Sequence, residues 1–428
     1  MTRQNVSENR GVSNQRQTVF WIIFVGTAFT MFFVRVMFTL EAHLLFLVYT
    51  WTVAATIISR YVFYSIYKPT LLEYGEYEPT VTVIVPAKNE SSGIYNTAQK
   101  LSLLDYPESK LCVILIDDGS EDDTVIWIEK AERDFGFNTL HLDKNVGKRV
   151  AISRAMEFNK SEITVFVDSD SFLDKNAIIE GLRGFSDSKI AAVCGHTDVE
   201  NTDDSWLTKM QTQQYFIAFK TFKSLESYYD SVTCCSGCFS MYRTNAILPL
   251  IHEWTDRKFL GRHRTFGDDR GLTNLLLKNG NNTVYLPEAK ATTIVPSDFF
   301  GYSRQQLRWR RSYLMESISG SAHMWKRPLG AALIFYMTLF LTFMAPFIVT
   351  YFVIVGPIIS GFNPFIYLAG IALILMLHQT FYWAFQPDSE KKVSYLSLLP
   401  MLPVWVIFTL FLLPWAMFTI RSTGWETR

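Results

Sequence analysis

The segment TVTVIVPAKNE, residues 80–90, is a run of apolar and β-branched residues that ends in charged and polar ones. Such a run predicts a buried strand that leaves into a loop. LCVILIDDGSEDDT at 111–124 and EITVFVDSDSFLD at 162–174 repeat the pattern, and helix-like stretches lie between them at 124–135 and 148–158. This alternation of strand, loop and helix predicts a doubly wound α/β sheet.

Polar and acidic residues follow each predicted strand, at the edge where sheets of this class bind ligands. Asp168 and Asp170 alternate after the third strand and can turn toward one point, which suits Mg²⁺ or Mn²⁺ shared with a diphosphate. Asp117 could accept hydrogen bonds from a base or ribose, and Lys148 and Arg149 follow a glycine turn that suits a phosphate or a nucleotide. A helix N-cap or solvated helix start explains any one of these features, but it explains three in a row poorly.

Two further motifs lie later in the chain. FGDDRGLTN, residues 266–274, places two carboxylates side by side, and as an isolated string it is typical of a solvated loop. QQLRWRRS, residues 305–312, places Gln305, Arg308 and Trp309 on about one helical turn. Arginine can bind a diphosphate with two hydrogen bonds, and tryptophan offers a flat face to a sugar. A membrane-surface helix with Arg and Trp anchors would have the same composition.

Apolar runs flank this mixed region. They lie at 18–40, 44–66, 329–359, 364–385 and 395–420. Each is long enough to cross a hydrocarbon core of ~30 Å. Basic residues precede the first run and end the second, so the positive-inside rule predicts that the large domain is cytoplasmic.

The sequence therefore predicts five regions. They are a disordered N-terminus at 1–17, two transmembrane helices at 18–66, a cytoplasmic domain ending in interfacial helices at 67–325, a C-terminal transmembrane region at 326–420, and a tail at 421–428. Three single crossings after the domain would put the tail outside. A tail that works at the active site therefore requires that one C-terminal segment is re-entrant or consists of two short elements, and prolines interrupt the first and last of the three.

Composition narrows the function classes. The 428 residues exceed a single soluble core, and 40 basic residues balance 40 acidic ones, so no nucleic-acid partner is expected. Three of the five cysteines fall in CCSGC, residues 234–238. Cytoplasmic thiols stay reduced, so no disulfide is expected. Cys235 and Cys238 could form half of a zinc site, but no second pair or nearby histidine completes it.

The ordered set DDG, DSD, GDD and Q-x-x-R-W, in one domain between membrane spans, resembles the processive family-2 glycosyltransferases. These include the hyaluronan, chitin and cellulose synthases and the rhizobial chitooligosaccharide synthase. The resemblance covers roughly residues 75–325. It implies a GT-A-like domain in a multi-pass protein of the plasma membrane.

Details within the motifs favour hyaluronan synthase. GDDR followed by Leu272, Thr273 and Asn274 is similar to that enzyme, as is the terminal GWETR, although Glu426 replaces a glycine. Cys238 stands where the family has proline. WLTK and the cysteine-rich loop are shared with the chitooligosaccharide synthase.

The resemblance implies roles for individual residues. Asp269 would be the general base, with Asp268 and Arg270 positioning it and tuning its pKa. Asp170, with Asp168 beside it, would bind Mg²⁺ or Mn²⁺. The donor nucleotide would be bound by Ala87, Glu90, Asp117, Lys148, Arg149, Asp168, Gln305, Arg308, Trp425, Thr427 and Arg428. The acceptor sugar would be bound by Cys235, Ser236, Gly237 and Trp309.

The expected activity is polymerisation of UDP-GlcNAc and UDP-GlcUA into hyaluronan, with export of the growing polysaccharide across the bilayer. A chitin or chitooligosaccharide synthase using UDP-GlcNAc alone, or another β-glycan synthase, is the alternative. A non-processive transferase acting on a lipid-linked acceptor and an inactive membrane scaffold or transporter are further hypotheses. The intact Q-x-x-R-W motif counts against the non-processive transferase. The complete set of acidic motifs counts against the inactive scaffold or transporter.

Overall fold

The computed structural model describes residues 14–38, 44–386, 393–394 and 400–422. These residues form two units. The first contains the described parts of 1–59, 202–217 and 337–414; the second contains those of 60–201, 218–336 and 415–428. The tail residues Trp425, Thr427 and Arg428 lie outside the described residues, so their predicted role stays a prediction.

The helices are numbered in chain order. They are α1 Asn14–Phe38, α2 Leu44–Ile66, α3 Gly93–Leu101, α4 Thr124–Phe135, α5 Lys148–Met156, α6 Ala177–Leu182, α7 Trp206–Ile217, α8 Ser224–Ser227, α9 Thr244–Ile247, α10 Ile251–Thr255, α11 Asp268–Lys278, α12 Phe299–Gly320, α13 Leu329–Thr350, α14 Gly356–Ser360, α15 Pro364–Phe385, α16 Met401–Ile407 and α17 Leu413–Phe418. The first helix begins at Asn14, so residues 14–17, predicted to be disordered, are helical.

An eight-stranded mixed sheet forms the centre of the second unit, in the order β3-β2-β1-β4-β7-β6-β10-β5. Its strands are β1 Val81–Ala87, β2 Leu111–Asp117, β3 Asn138–His141, β4 Ile163–Phe166, β5 Ser171–Leu173, β6 Ile190–Val199, β7 Ser240–Arg243 and β10 Asn282–Thr293; the short pair β8 Lys258–Phe259 and β9 Arg262–His263 is separate. The strands β3, β2, β1 and β4 are parallel, as the alternating pattern predicts. β7 runs antiparallel to both β4 and β6, which makes the complete sheet mixed.

The core of this unit explains its strand sequences. All seven residues of β1 are buried, because a central strand of such a sheet is covered on both faces. A strand buried on both faces reads as a continuous apolar run rather than an alternating one. In the register between β1 and β2, Ala87 pairs with Asp117, so the polar residues that follow the two strands emerge at one edge.

In the first unit, aromatic side chains hold the helices together. Phe20 of α1 packs edge-on against Phe381 and Phe385 of α15, each pair of ring centroids being 5.4 Å apart. Phe216 of α7 also contacts Phe381, at 6.0 Å. These edge-to-face contacts stabilise helix packing beyond the area that they bury.

Three helices of the described chain are long and apolar enough to span a membrane, by length and composition. They are Leu329–Ser360, Pro364–Phe385 and Met401–Phe418. They lie within the predicted C-terminal region, and helices α1 and α2 lie at the predicted N-terminal runs; that α1 and α2 cross a membrane stays a prediction. Pro346 lies inside α13, and π-helical segments at Tyr351–Val355 and Phe408–Leu412 interrupt the first and last of the three helices. π-helical turns are rare, and both they and prolines are known causes of kinks in helices.

Candidate active site

The loop before α5 is fixed to the end of β2 by Asp118. Its carboxylate accepts hydrogen bonds from the backbone N–H groups of Val146 at 2.7 Å and Gly147 at 2.9 Å. Burial raises the pKa of Asp118, and these two N–H groups oppose that rise. The neighbouring Asp117 accepts from the N–H of Ser120 at 3.1 Å. These bonds place the start of α5, with its basic residues, beside the ends of β1 and β2.

Lys148 and Asp168 form an ion pair in the middle of the site. Burial lowers the pKa of Lys148, but the Asp168, Asp268 and Asp269 carboxylates outweigh it, so that the pKa is raised and the ammonium stays charged. The loop CCSGC, residues 234–238, closes over this pair and is called the cysteine loop below. A Cβ on Gly237 would lie 3.0 Å from both Asp168 oxygens and from Nζ of Lys148, so only glycine fits there without displacement.

Asp170 joins the end of β4 to β10. Its carbonyl accepts from the N–H of Ile294 at 3.2 Å, and Oδ1 lies 3.5 Å from Oγ1 of Thr293. The carboxylates of Asp168 and Asp170 are hard oxygen donors of the kind that Mg²⁺ and Mn²⁺ prefer. Within the described part of the chain, no group of three or more His, Cys, Asp and Glu residues could hold a metal ion. Two carboxylates would leave the other coordination positions of such a cation to further oxygen ligands, such as those of a diphosphate.

The two adjacent acids of the GDD motif have different surroundings. Gly267 adopts a left-handed φ of 79°, and Asp268 and Asp269 then form the first turn of α11. The guanidinium of Arg149, which is 5% exposed, donates to Oδ1 of Asp268 at 2.5 Å and to the carbonyl of Phe266 at 2.7 Å. Arg149 was predicted to bind the donor, yet its guanidinium is directed to Asp268.

Asp269 lies against the cysteine loop. Its Oδ2 accepts from Sγ of Cys234 at 3.2 Å, and its Oδ1 accepts from the backbone N–H of Arg270 at 2.7 Å. Thr273 donates to the carbonyl of Asp269 at 2.7 Å and accepts from the N–H of Cys235 at 3.0 Å. One threonine therefore couples α11 to the cysteine loop.

The electrostatic surroundings of Asp269 favour its ionised form. Burial raises the pKa of this carboxyl, but the charge of Arg270, its backbone N–H, the Cys234 thiol and Lys148 outweigh burial and leave the pKa lowered. A carboxylate with a depressed pKa is ionised at neutral pH and can therefore accept a proton. The lower pKa also makes it a weaker base.

The Q-x-x-R-W residues lie on α12, which begins at the Asp298 N-cap. Asp298 accepts from the N–H groups of Phe300 and Gly301. Trp309 is 40% exposed, so part of its ring surface is accessible to a ligand. Two polar atoms are buried without a hydrogen-bond partner among the described residues. They are Oε1 of Gln305 and Oγ of Ser236 in the cysteine loop.

Several of the predicted residues lie next to one another in the structure. Ala87 lies beside Asp117, Lys148 beside Asp168 and Gly237, and the Cys235 backbone is coupled to α11 through Thr273. The backbone N–H of Glu90 donates to Thr124 at 2.9 Å in the loop after β1.

Two residues that were not predicted also belong to the site. They are Asp118, which orders the loop before α5, and Cys234, which contacts Asp269. Cys234 lies next to a predicted acceptor residue, but the sequence holds no signal for its contact with an acid 35 residues away.

A mixed sheet with acidic residues at the carboxyl edge, followed by a helix that begins with the buried Asp268 and the half-buried Asp269, defines a GT-A-like glycosyltransferase fold. The mannosyltransferase PcManGT of Pyrobaculum calidifontis, solved in complex with GDP-Man and Mn²⁺, shares this fold. It superposes with a TM-score of 0.56 over 89% of this chain and 99% of the other, at 16% identity.

The sequence model of the chitin synthase family matches residues 119–427, and the chain belongs to this family. The N-acetylglucosaminyltransferase of Azorhizobium caulinodans is 37% identical over 237 residues, which is 55% of this chain and 59% of the relative. The N-acetylglucosaminyltransferase of Mesorhizobium japonicum is 35% identical over 247 residues, 57% of this chain and 58% of the relative. The matches therefore span less than two thirds of the length of these curated relatives.

Proposed function

We propose that the chain is a processive, inverting N-acetylglucosaminyltransferase that uses UDP-GlcNAc to build a chitin-type polymer or oligomer. The observation that carries the proposal is the environment of Asp269, an ionised carboxylate between Lys148 and the cysteine loop. The names of the relatives support GlcNAc as the sugar and favour the chitin-type alternative over the expected hyaluronan.

Asp269 is the general base of this mechanism. It takes the proton from the acceptor hydroxyl as that oxygen attacks the anomeric carbon, and UDP leaves from the opposite face. One displacement inverts the configuration at the anomeric carbon. Arg270 keeps Asp269 charged before the reaction, while Asp268 and Arg149 hold the segment in place.

The donor nucleotide occupies the edge formed by β1 and β2. Ala87, Glu90 and Asp117 bind the uridine part, Lys148 and Arg308 face the diphosphate, and Gln305 offers its buried carbonyl oxygen. Asp170, with Asp168 beside it, would hold Mg²⁺ or Mn²⁺, which when bound neutralises charge on the leaving diphosphate. In this assignment Lys148 exchanges its pairing with Asp168 for phosphate oxygens.

The acceptor sugar lies against the cysteine loop. Oγ of Ser236 is a buried hydroxyl that a sugar hydroxyl can satisfy, and Gly237 keeps the backbone close to the donor residues. The exposed part of the Trp309 ring packs against the sugar C–H groups. The hydrogen bond from the Cys235 N–H to Thr273 of α11 holds the cysteine loop beside the helix of the base.

The membrane segments complete the proposal. The chain is a multi-pass plasma-membrane protein whose catalytic domain, residues 67–325, faces the cytoplasm and whose C-terminal region, residues 326–420, conducts the polymer. The three apolar helices of the described chain support membrane association. The tail residues Trp425, Thr427 and Arg428 lie outside the described residues, so their closure over the nucleotide, which requires that one C-terminal segment does not make a single crossing, stays a prediction.

Polymer formation by the purified, detergent-solubilised chain tests the proposal. Radiolabelled UDP-GlcNAc is supplied with Mg²⁺ or Mn²⁺, with and without UDP-GlcUA, and D269N serves as the inactive control. The expected product forms from UDP-GlcNAc alone and is degraded by chitinase. A product that requires both donors and is degraded by hyaluronidase would restore the hyaluronan hypothesis. No incorporation under any of these conditions would refute transferase activity.

A further inference from the structure

Glu316 is a buried carboxylate on α12 that belongs to none of the motifs, and its side chain is 2% exposed. It lies eight residues, about two helical turns, after Arg308 on the same helix. Oε1 accepts from Nη1 of Arg264, and Oε2 accepts from Nη2 of Arg257 at 2.9 Å and from Nδ2 of Asn274 at 2.8 Å. One side chain of α12 is thus the common acceptor for three donors from the segment that surrounds the GDD motif.

Two of these donors hold α11 itself. Asn274 is a residue of α11, and its Nδ2 donates to the backbone carbonyl of Glu316 at 2.7 Å as well as to the carboxylate. Arg257 donates from Nη1 to the carbonyl of Gly271, also in α11, at 2.5 Å. Glu316 therefore contacts the helix of the base directly through Asn274 and indirectly through Arg257.

The third donor holds the loop before α11. The carbonyl of Arg264 accepts from Nη1 of Arg149 at 3.3 Å, and Nε of the same Arg149 pairs with Asp268. Three guanidinium groups, those of Arg149, Arg257 and Arg264, thus share the two carboxylates of Asp268 and Glu316. Because buried charges need partners, removal of the Glu316 charge would force this cluster to rearrange.

We infer that Glu316 is a positioning residue for glycosyl transfer: it fixes the helix of the general base against the helix that carries Gln305 and Arg308. The inference rests on the proposed function. The base must lie within hydrogen-bond reach of the acceptor hydroxyl while the arginine faces the diphosphate, so the spacing between α11 and α12 decides the rate. Glu316 contacts no substrate in this assignment and acts only through its partners.

The variant E316Q tests the inference in the full-length, solubilised chain. E253Q is the matched control, because Glu253 forms an exposed ion pair with Lys278 at 2.9 Å. In E316Q we expect kcat for transfer to fall about 100-fold, the loss that a displacement of ~1 Å produces. The Kd for UDP, measured by calorimetry, is expected to change far less than kcat, because Ala87, Glu90 and Asp117, which bind the uridine part in the proposed function, lie on neither α11 nor α12.

Hydrolysis of UDP-GlcNAc by water is the second readout. Water does not need to be held against the base by the cysteine loop, so the ratio of hydrolysis to transfer is expected to rise in E316Q. A change in stability alone would lower both activities together. N274A, which removes two hydrogen bonds without changing the charge, supplies the same comparison if E316Q does not fold, with an expected loss in kcat of about tenfold.

The two proposals fail in different ways. A wild-type chain that transfers no GlcNAc refutes the proposed function. A wild-type chain that is active, while E316Q and N274A retain the kcat and the hydrolysis ratio of E253Q, refutes the inference about Glu316 alone. Equal losses of transfer, hydrolysis and UDP binding in E316Q and N274A would also refute it, because they indicate a general loss of the folded state.

Discussion

Nε of Arg149 lies 2.5 Å from Oδ1 of Asp268, although the two residues are 119 positions apart in the chain. Asp268 is 8% exposed and is committed to this ion pair, whereas the adjacent Asp269 faces the thiol of Cys234. The paired acids of the GDD motif therefore have separate tasks. The first fixes the segment to α5, and the second accepts the proton in the proposed function.

The two tasks predict different phenotypes for D268N and D269N. We expect D269N to lose about 10²–10⁴-fold in transfer, the usual contribution of a general base, with its melting temperature and UDP affinity kept. D268N is expected to lose stability, about 3–5 kcal/mol, because it leaves the Arg149 guanidinium buried without a charged partner. Transfer assays, calorimetric UDP titration and thermal melting measure the three quantities. Equal melting temperatures for the two variants would contradict this division.

The depressed pKa of Asp269 predicts the pH dependence of the reaction. The base must be deprotonated, so activity falls as pH drops through its pKa, which lies below the usual value of about 3.9. Wild-type transfer is therefore expected to show no decline from this group between about pH 5 and 7.

R270Q removes the strongest of the influences that lower this pKa, while burial continues to raise it. We expect the acidic limb of the kcat profile to move to higher pH in R270Q, and to stay in place in R154Q, which loses only an exposed pair with Glu157. The full pH profile of kcat measures the shift. An acidic limb that moves to lower pH in R270Q would contradict Asp269 as the titrating base.

Strands β1, β2 and β4 of the parallel half could be predicted because most of their residues are buried, whereas β3, Asn138–His141, has no buried residue and was not predicted. The run at 80–90 contains β1 at Val81–Ala87, and the helical pattern at 124–135 coincides with α4. The antiparallel insertion of β7 between β4 and β6 was not predicted, because its pairing depends on tertiary contacts between distant segments rather than on local pattern.

The site was predictable to a similar extent. The strand-end acids could be located because the carboxyl edge of such a sheet gathers them. The ion-pair partner of each acid could not be predicted. Arg149 resembles a nucleotide-binding residue in sequence, yet its guanidinium pairs with Asp268. Glu316, which pairs with Arg264, belongs to no motif. Ion pairs between residues more than 50 positions apart leave no local periodicity to detect.

D170N is expected to remove the metal-dependent part of nucleotide affinity. Asp170 supplies one of the two carboxylates of the proposed cation site, and an amide is a much weaker ligand for a hard divalent ion. We expect Mn²⁺ to increase UDP affinity in the wild-type chain and in D174N, which alters an exposed acid close by in sequence, but not in D170N. Titrations of UDP with Mn²⁺ and with EDTA measure the difference. Full Mn²⁺ dependence in D170N would move the cation site elsewhere.

W309A is expected to shorten the product. The ring of Trp309 is 40% exposed and contacts the acceptor in the proposed function, so its loss weakens retention of the growing chain between transfers. W309F keeps an aromatic face and is expected to keep most of the length, and W325A is the control for loss of an exposed tryptophan, because Trp325 is 62% exposed. Gel analysis of labelled products measures their length. Wild-type products from W309A would contradict an acceptor role.

G267A is expected to lower kcat in addition to lowering the stability of the fold. Gly267 has a φ of 79°, which costs a residue with a side chain about 1–2 kcal/mol, and its new Cβ would collide with Oγ of Ser312 on α12. Gly280 has a similar φ of 82°, but no described atom lies within 4 Å of the position that a Cβ would take there, so G280A carries the backbone strain alone. We expect G280A to lose stability and keep kcat, and G267A to lose both. The added variant S312A removes the colliding oxygen and is expected to restore part of the kcat of G267A but none of the backbone strain. Equal kcat values for G267A and G280A would show that the contact between Gly267 and α12 does not limit transfer.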